Sequence, residues 1–259
     1  MLHRALPAGF VRFVIDNSEV VCAKHVSDAV VEALDVGTLY QYAASHSEAR
    51  ALAGRGVAYA VPLPGDVEHV VVRHNRHGGM LAPITADLFR PPTFAPRELS
   101  ISERLRRAGV PTPVLLGYVV YAAPAGFRRA DVMTREIRPS HDLSTAIMSD
   151  DRSVRERALA ATAVLVAAMN RAMARHHDLN VKNVLLRDGA DGSVDAFVLD
   201  VDRVAFVSGT DVALEANVAR LLRSARKWQT RHGAPVTAAE LDALAAAVRD
   251  RPAVASTLS

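Results

Sequence analysis

The chain has 259 residues, of which half are apolar and 23% are charged. This share of apolar side chains is enough for a buried core and excludes an intrinsically disordered protein. The formal net charge is only +3, and scattered basic residues alone give no support for nucleic-acid binding.

The chain has one cysteine, Cys22, which excludes an intrachain disulfide and favours a reducing compartment. The first residues lack the apolar segment of a secretory signal, and no run of about 18 apolar residues occurs in the sequence. We therefore expect a soluble cytoplasmic protein that can touch a membrane but does not cross it.

Residues 9–45 alternate weakly between apolar and polar side chains. The segments GFVRFVID and EVVCAKHV are predicted as strands, and DAVVEALDV and LYQYAAS as short helices. From residue 57 the pattern is clearer, because VAYAVPL and HVVVRHN flank the turn PGD. This arrangement predicts a hairpin of two half-buried strands.

The next predicted helix is PRELSISERLRRAG, which ends at Gly109 and is followed by two prolines. Two strand-like segments, PVLLGYVVYA and ADVMTREI, come after it. Asp150 and Asp151 then precede a long predicted helix over residues 152–175, where negative charge suits a helix N-terminus.

Beyond that helix, NVLLR and DAFVLD are predicted strands on either side of the turn DGADGS. Two helices complete the chain: DVALEANVARLLRSARKW, and a second that begins after Thr237 as its N-cap. Strands come first and helices last, without an internal repeat. This order favours an α+β fold of two lobes, with a β-rich lobe in residues 1–137 and a mainly helical lobe in residues 138–259.

The stretch RHHDLNVKNVLL, residues 175–186, places polar side chains directly before a predicted buried strand. A kinase catalytic loop has the pattern H-R-D-L-x-x-x-N, in which the aspartate faces the acceptor hydroxyl group and the asparagine holds magnesium. His176, Asp178 and Asn183 have this spacing, and Asp200 ends the strand-like run FVLD. Asn183 and Asp200 are therefore predicted to converge on one cation.

A polar turn between a helix and a hairpin is the alternative interpretation of the same stretch. In that case Asp178 and Asn180 would only cap backbone groups. The pattern HxD with a later asparagine also occurs by chance, so the second strand with its Asp200 is the observation that favours a kinase.

The N-terminal lobe of a kinase must also bind the nucleotide. Gly54 and Gly56, on either side of Arg55 in the sequence GRG, could let backbone N–H groups approach phosphates. This motif is shorter than G-x-G-x-x-G and is weak evidence alone, because an ordinary glycine turn has the same residues.

A cation on the following strand, paired with a carboxylate of the next helix, is the second expected part of a nucleotide site. Arg73 on the strand HVVVRHN is the candidate cation. Glu98 is the favoured carboxylate and Glu103 is its competitor. Arginine in place of lysine presents a planar fork instead of a point charge.

Taken together, these segments resemble the bacterial lipopolysaccharide core sugar kinases, the family of Kdo (3-deoxy-D-manno-octulosonic acid) kinases and heptose kinases. The resemblance runs in order from residue 54 to about residue 227, and residues 1–50 match poorly. Its segments are GRG, VVRHNRHGG, REL with GVPTPVLLGY, TREI with HDL, HHDLNVKNVLL, VLDVDRV and ANVARLLRSARK. Asn180 stands where ordinary protein kinases have lysine, and Asp202 replaces the glycine of D-F-G.

The resemblance implies a protein-kinase-like fold, ATP and Mg²⁺ as cofactors, and transfer to a Kdo or heptose hydroxyl group of a lipopolysaccharide core glycolipid. No long activation segment with A-P-E follows, which fits a glycolipid or small-molecule acceptor. The implied catalytic-loop residues are Asp178 as general base, His176 as the residue that orients the loop, and Asn180.

The same resemblance assigns the nucleotide and metal contacts. The implied nucleotide-binding residues are Gly54, Arg55, Gly56, Arg73 and Glu98. The implied magnesium ligands are Asn183 and Asp200, and Asp202 would hold a second cation or fix the loop.

Two other functions stay open at this point. A pseudokinase would keep the fold without turnover, but the intact set of Asp178, Asn183 and Asp200 argues against it. A kinase of a soluble small molecule, such as an antibiotic or a free sugar, would share these residues. The basic helix ANVARLLRSARK favours the glycolipid acceptor. Its arginines could contact anionic lipid or only solvate one face of the helix.

Overall fold

The computed structural model describes residues 6–52, 56–75 and 88–251. They divide into two compact units, Met1–Glu103 with Val114–Glu136, and Arg104–Pro113 with Ile137–Ser259. Residues 104–113 belong with the second unit because they are bonded to it. The Val198 N–H group donates to the Pro111 carbonyl oxygen, and the Thr112 hydroxyl group donates to the Val198 carbonyl oxygen.

Seven strands form one antiparallel sheet in the first unit. In spatial order they run β1-β2-β6-β7-β5-β4-β3. The strands are β1 (Phe10–Ile15), β2 (Ser18–Ala23), β3 (Arg50–Leu52), β4 (Ala58–Pro62), β5 (His69–His74), β6 (Leu115–Ala122) and β7 (Arg128–Arg135).

The hairpin predicted around PGD is confirmed, since β4 pairs antiparallel with β5. The two strands predicted near the start of the chain are also confirmed. They belong to the same sheet as the rest, because β2 pairs with β6 and brings Val20 opposite Val119.

Helices cover both faces of this sheet. The predicted short helices are α1 (Ser27–Leu34) and α2 (Leu39–Ser45), which pack on one face together with Val72 and Leu116. The helix α3 (Ala95–Arg107) packs on the other face through Leu99, which lies in a core with Val132. As predicted, α3 ends near Gly109, whose φ of +72° suits a helix C-terminus.

The second unit is mainly helical, with two small antiparallel sheets. One has the order β11-β10-β8 and the other pairs β12 with β9. Its strands are β8 (His141–Asp142), β9 (Ala174–His176), β10 (Val184–Asp188), β11 (Val194–Val198) and β12 (Val204–Phe206). Its helices are α4 (Leu143–Ile147), α5 (Arg152–Arg171), α6 (Thr210–His232) and α7 (Ala238–Arg249).

The long helix α5 begins as predicted but ends earlier. The Asp151 side chain caps it by accepting from the Ser153 N–H group. The helix stops at Arg171, four residues before the predicted end at Arg175, and Met173 then has a φ of 54°. The predicted end was wrong because the residues after the helix form β9, which pairs with β12. Helix propensity depends on the local sequence alone and does not include such pairing.

The two C-terminal helices agree with their sequence patterns. Thr237 caps α7 in a capping box with Glu240, as its position predicts. The helix α6 continues past the predicted end at Trp228 to His232, where Gly233 follows with a φ of 67°. Within the described ranges, no helix combines the length and apolar character needed to span a bilayer. The α+β prediction is confirmed.

Candidate active site

The loop between β9 and β10 is organised around a buried histidine. His176 is 0% exposed. Its Nδ1 atom lies 3.0 Å from the Asp178 backbone nitrogen, and its Nε2 atom lies 3.0 Å from the Leu199 carbonyl oxygen. The backbone N–H group can only donate and the carbonyl oxygen can only accept, so both bonds require the neutral ring protonated at Nε2.

Burial favours the same protonation state. Desolvation lowers the pKa of His176 below its ordinary value, although the hydrogen bond to Leu199 and the nearby Asp200 carboxylate act in the opposite direction. A neutral His176 thus joins the loop after β9 to the residue that precedes Asp200. The role of His176 in catalysis, implied by the family resemblance, stays a prediction.

Side chains hold both backbone groups of Asp178. His176 accepts from its N–H group, while the amide nitrogens of Asn180 and Asn183 each lie 2.9 Å from its carbonyl oxygen. The Oδ1 atom of Asn180 accepts from the Lys182 N–H group. The side chain of Asn180 therefore braces the loop backbone, as the polar-turn interpretation expected. The same bonds fix the position of Asp178.

Two residues of α6 that no sequence motif indicated also support this loop. The Asn217 side chain, fully buried, accepts from the His176 N–H group and donates to the Ala174 carbonyl oxygen, both at 2.9 Å. The Ser224 hydroxyl oxygen accepts from the Val181 N–H group at 3.2 Å. The sequence feature that could have indicated them is their spacing: two polar residues seven positions apart lie on the otherwise apolar face of a predicted helix.

Asp200 follows β11 after one intervening residue. The Leu199 N–H group donates to the Asn183 carbonyl oxygen at 2.9 Å, which extends the pairing of β10 with β11 by one bond. Asp200 therefore lies beyond the strand instead of ending it. It has left-handed φ and ψ angles of 51° and 47°, a conformation that costs energy for a residue other than glycine and is frequent at functional sites.

The side chains of Asn183 and Asp200 have the chemistry of magnesium ligands. The Asn183 amide nitrogen is bonded to Asp178, which leaves its Oδ1 atom as an acceptor. The Asp200 carboxylate accepts no hydrogen bond from the residues that the structure describes. One amide and one carboxylate suit Mg²⁺, which completes its shell with phosphate oxygens and water.

Among the described residues, no three histidine, cysteine, aspartate or glutamate side chains cluster as a metal site. A magnesium ion held by Asn183 and Asp200 would take its further ligands from nucleotide phosphates and water. Asp202 lies in the short helical turn after Asp200, and its carboxylate is 3.3 Å from the guanidinium group of Arg203. Its role, and the roles of Asn183 and Asp200 as metal ligands, stay predictions.

In the first unit, the guanidinium group of Arg73 on β5 pairs with the carboxylate of Glu98 on α3. Glu98 is 2% exposed, and the Asn75 amide group lies 3.4 Å from its second oxygen. Arg73 is the cross-strand partner of Val132, and Val132 lies in the core beneath α3. Cross-strand partners point to the same face of a sheet, so Arg73 points to the face that α3 covers. Of the two glutamates considered, Glu98 thus has this contact with Arg73.

Of the predicted glycine motif GRG, only the last residue, Gly56, is among the residues that the structure describes. Gly54 and Arg55 lie outside the described residues, and Gly56 comes two residues before β4. The basic segment after His74 falls largely in residues 76–87, which also lie outside the described residues. Nucleotide contacts by these residues stay predictions.

Comparisons with known proteins place the chain among sugar kinases of one family. The model of the lipopolysaccharide kinase (Kdo/WaaP) family matches residues 44–247. That range includes Arg73, Glu98, the catalytic-loop candidate and Asp200.

Several curated relatives carry the name 3-deoxy-D-manno-octulosonic acid kinase. The one from Pasteurella multocida (strain Pm70) is 29% identical over 184 residues, which cover 69% of this chain and 75% of the relative. The one from Vibrio vulnificus (strain YJ016) is 30% identical over 179 residues, which cover 67% of this chain and 71% of the relative.

A solved structure described as WaaP in complex with acyl carrier protein has the same fold. Its TM-score is 0.53 at 17% identity, over 83% of this chain and 84% of that chain. The prediction of a protein-kinase-like fold is confirmed.

Proposed function

This chain belongs to the lipopolysaccharide kinase (Kdo/WaaP) family, and we propose that it transfers the γ-phosphoryl group of ATP to a hydroxyl group of Kdo in a lipopolysaccharide inner core. The observation that carries the proposal is the loop from His176 to Asn183, braced beside Asp200. The curated relatives named Kdo kinase support Kdo over heptose as the acceptor.

In the proposed reaction Asp178 is the general base. Its carboxylate accepts the proton of the acceptor hydroxyl group while the hydroxyl oxygen bonds to the γ-phosphorus of ATP. The bond from that phosphorus to the β–γ bridging oxygen breaks, and ADP leaves. The backbone bonds of Asp178 to His176, Asn180 and Asn183 keep its position fixed during the transfer.

Asn183 and Asp200 would hold Mg²⁺, which would neutralise charge on the phosphates when bound. Arg73 binds phosphate oxygens through its planar guanidinium group, and Glu98 orients that group. An arginine is suited to both tasks at once, because it has five N–H donors in a fixed arrangement.

The test is magnesium-dependent consumption of ATP by the purified protein with and without a Kdo-containing lipid acceptor. We expect the acceptor to stimulate turnover, and Asp178→Asn to reduce it by at least about a hundredfold. Asp188→Asn is the matched control, because it makes the same change at an exposed carboxylate of the same unit.

The outcomes separate the other two functions. Full turnover of the Asp178→Asn variant would contradict the assignment of the base. Nucleotide binding without transfer to any acceptor would identify a pseudokinase. Transfer to a soluble aminoglycoside or a neutral free sugar, but not to Kdo, would identify a kinase of another small molecule.

We further propose that the protein contacts the cytoplasmic face of the inner membrane through α6 and α7. A groove of about 420 Å³ there has an apolar floor that includes Val218 and Leu222, and Arg223, Arg226 and Arg249 line it. Apolar area next to arginines suits a surface of anionic lipids. Glu215 neutralises part of this charge by pairing with Arg249.

Sedimentation with vesicles tests this contact. We expect the protein to bind vesicles that contain phosphatidylglycerol and not neutral phosphatidylcholine vesicles. Binding to the phosphatidylglycerol vesicles should fall about tenfold in Arg223→Ser/Arg226→Ser. The double variant Arg152→Ser/Arg157→Ser, on the exposed side of α5, removes the same charge and serves as the control. Equal losses in both variants would contradict a specific surface.

A further inference from the structure

The one tryptophan of the chain lies beside the catalytic-loop candidate. Trp228 is on α6, and the ammonium nitrogen of Lys182 lies 5.6 Å from the centre of its ring. The ring of His232 lies 4.4 Å from the ring of Trp228. Trp228 is half-buried, whereas Lys182 and His232 are exposed. An aromatic face and a cation are thus held together at the surface.

Their position follows from the bonds that hold the loop to α6. Lys182 comes directly before Asn183 and four residues after Asp178. The preceding Val181 donates its N–H group to Ser224, which is one helical turn before Trp228. Residues four positions apart share a helix face, so Trp228 lies on the side of α6 that carries the loop.

The charge of Lys182 is available for a ligand. Lys182 forms no ion pair with any residue that the structure describes. Its backbone is fixed, because its N–H group donates to Asn180 and its side chain lies over the indole ring. The ammonium group is therefore already positioned near Trp228, which reduces the ordering cost of binding an anion.

We propose that Lys182 and Trp228 form an acceptor subsite for an acidic sugar. The indole ring packs against an apolar face of the sugar ring, and the Lys182 ammonium group pairs with the sugar carboxylate. Kdo has such a carboxylate. The inference rests on the proposed function, since it assigns the part of the acceptor that this site recognises.

Recognition of the carboxylate would select an acidic sugar over a neutral one. Lys182 is exposed, so its charge contributes a modest preference for a ligand that carries the partner charge, and the packing against half-buried Trp228 orients that ligand. A heptose lacks this carboxylate, so the subsite also separates the two acceptors that the family resemblance leaves open.

Because Trp228 is the single tryptophan, its fluorescence reports binding without any need for turnover. The measurement is a titration of free Kdo, and of its methyl ester, into the full chain. We expect a saturable change with Kdo, and a dissociation constant about tenfold higher in Lys182→Gln, the effect of losing one charged hydrogen bond. The methyl ester should bind both proteins equally weakly.

Two controls make the titration specific. Lys24→Gln removes the same charge from an exposed lysine of the first unit and should not alter Kdo binding. Asp178→Asn should bind Kdo while failing to phosphorylate it. In transfer assays, Trp228→Leu should raise the KM for the Kdo acceptor about tenfold and leave the KM for ATP unchanged.

The outcomes separate the subsite from the proposed function. Transfer to Kdo with an unchanged acceptor KM in both Lys182→Gln and Trp228→Leu would overturn the subsite and leave the kinase intact. A Kdo-dependent fluorescence change that needs Lys182, without transfer, would support the subsite and contradict the proposed reaction. Equal binding of Kdo and its methyl ester would overturn the role of Lys182.

Discussion

At the scale of single residues, His176 connects the two segments that carry the proposed catalytic and metal-binding groups. Its two ring nitrogens are bonded to the backbone on both sides, at Asp178 and at Leu199. Since the neutral ring alone satisfies both bonds, protonation of His176 would break one of them. The stability of this loop should therefore depend on pH.

The pKa of His176 is lowered in the folded state by burial. The unfolded chain then binds a proton at a higher pH than the folded chain does, so stability is present above the ordinary histidine pKa of about 6.5 and falls as the pH drops below it. His176→Gln removes this titratable group from both the folded and the unfolded chain. We expect the loss of unfolding free energy between pH 7.5 and 5.5 to be smaller by about 1 kcal/mol in the variant.

Urea denaturation of both proteins at the two pH values measures this difference. The comparison concerns the change with pH, so a general loss of stability in His176→Gln does not affect it. An identical pH dependence in wild type and variant would contradict a neutral, buried His176.

Asp200 combines a strained backbone with a carboxylate that accepts no hydrogen bond from the residues that the structure describes. A left-handed conformation costs a non-glycine residue about 1 kcal/mol, and glycine adopts it freely. Asp200→Gly should therefore be about 1 kcal/mol more stable than Asp200→Ala. Both variants should lose binding of magnesium–ATP, since neither retains the carboxylate.

Urea denaturation and isothermal titration calorimetry check the two parts separately. Equal stability of the glycine and alanine variants would contradict the strained conformation. Undiminished magnesium–ATP binding in both would show that Asp200 does not hold the metal.

At the scale of elements, α6 is the support of the catalytic-loop candidate. One face of it presents Asn217, Ser224 and Trp228, at intervals of seven and four residues. Asn217→Asp retains the oxygen that accepts from His176 but places a second oxygen against the Ala174 carbonyl group. We expect this variant to lose about 2 kcal/mol of stability, because a buried donor is replaced by an acceptor.

Asn17→Asp is the matched control, since it makes the same change at an exposed turn of the first unit. It should change the unfolding free energy by less than about 0.5 kcal/mol. If both variants unfold at the same urea concentration, the buried amide of Asn217 does not support the loop.

The contact between β5 and α3 gives a second prediction at this scale. Glu98 is almost fully buried opposite Arg73, so Arg73→Met leaves a buried carboxylate without its guanidinium partner. Removal of one member of a buried pair costs about 3 kcal/mol. Thermal unfolding should show this loss, and most of it should be recovered in Arg73→Met/Glu98→Leu.

The pair of Arg135 and Glu68 in the same sheet is the control, because Arg135 is largely exposed. Arg135→Met should cost less than about 1 kcal/mol. Similar losses for Arg73→Met and Arg135→Met would contradict the buried character of the Arg73 pair.

At the scale of the whole molecule, local patterns were enough to predict most elements. Period-two alternation around PGD predicted the hairpin of β4 and β5, and Thr237 with Glu240 predicted the start of α7. These signals are local, since each depends on neighbouring residues. The spacing of His176, Asp178 and Asn183 likewise located the loop in the sequence.

Features set by contacts between distant residues could not be predicted in this way. The end of α5 depends on the pairing of β9 with β12, and the support of the loop depends on Asn217, 41 residues after His176. No local pattern encodes such distant partners, which explains why these two features were missed.

Mass spectrometry of the acceptor after incubation with ATP and Mg²⁺ tests the proposed phosphoryl transfer to Kdo. We expect a Kdo-containing lipid acceptor to gain one phosphate on the Kdo residue, and we expect no such product with Asp178→Asn. An acceptor that stays unmodified while the protein binds ATP, or a phosphate found on a different sugar, would contradict the proposed transfer.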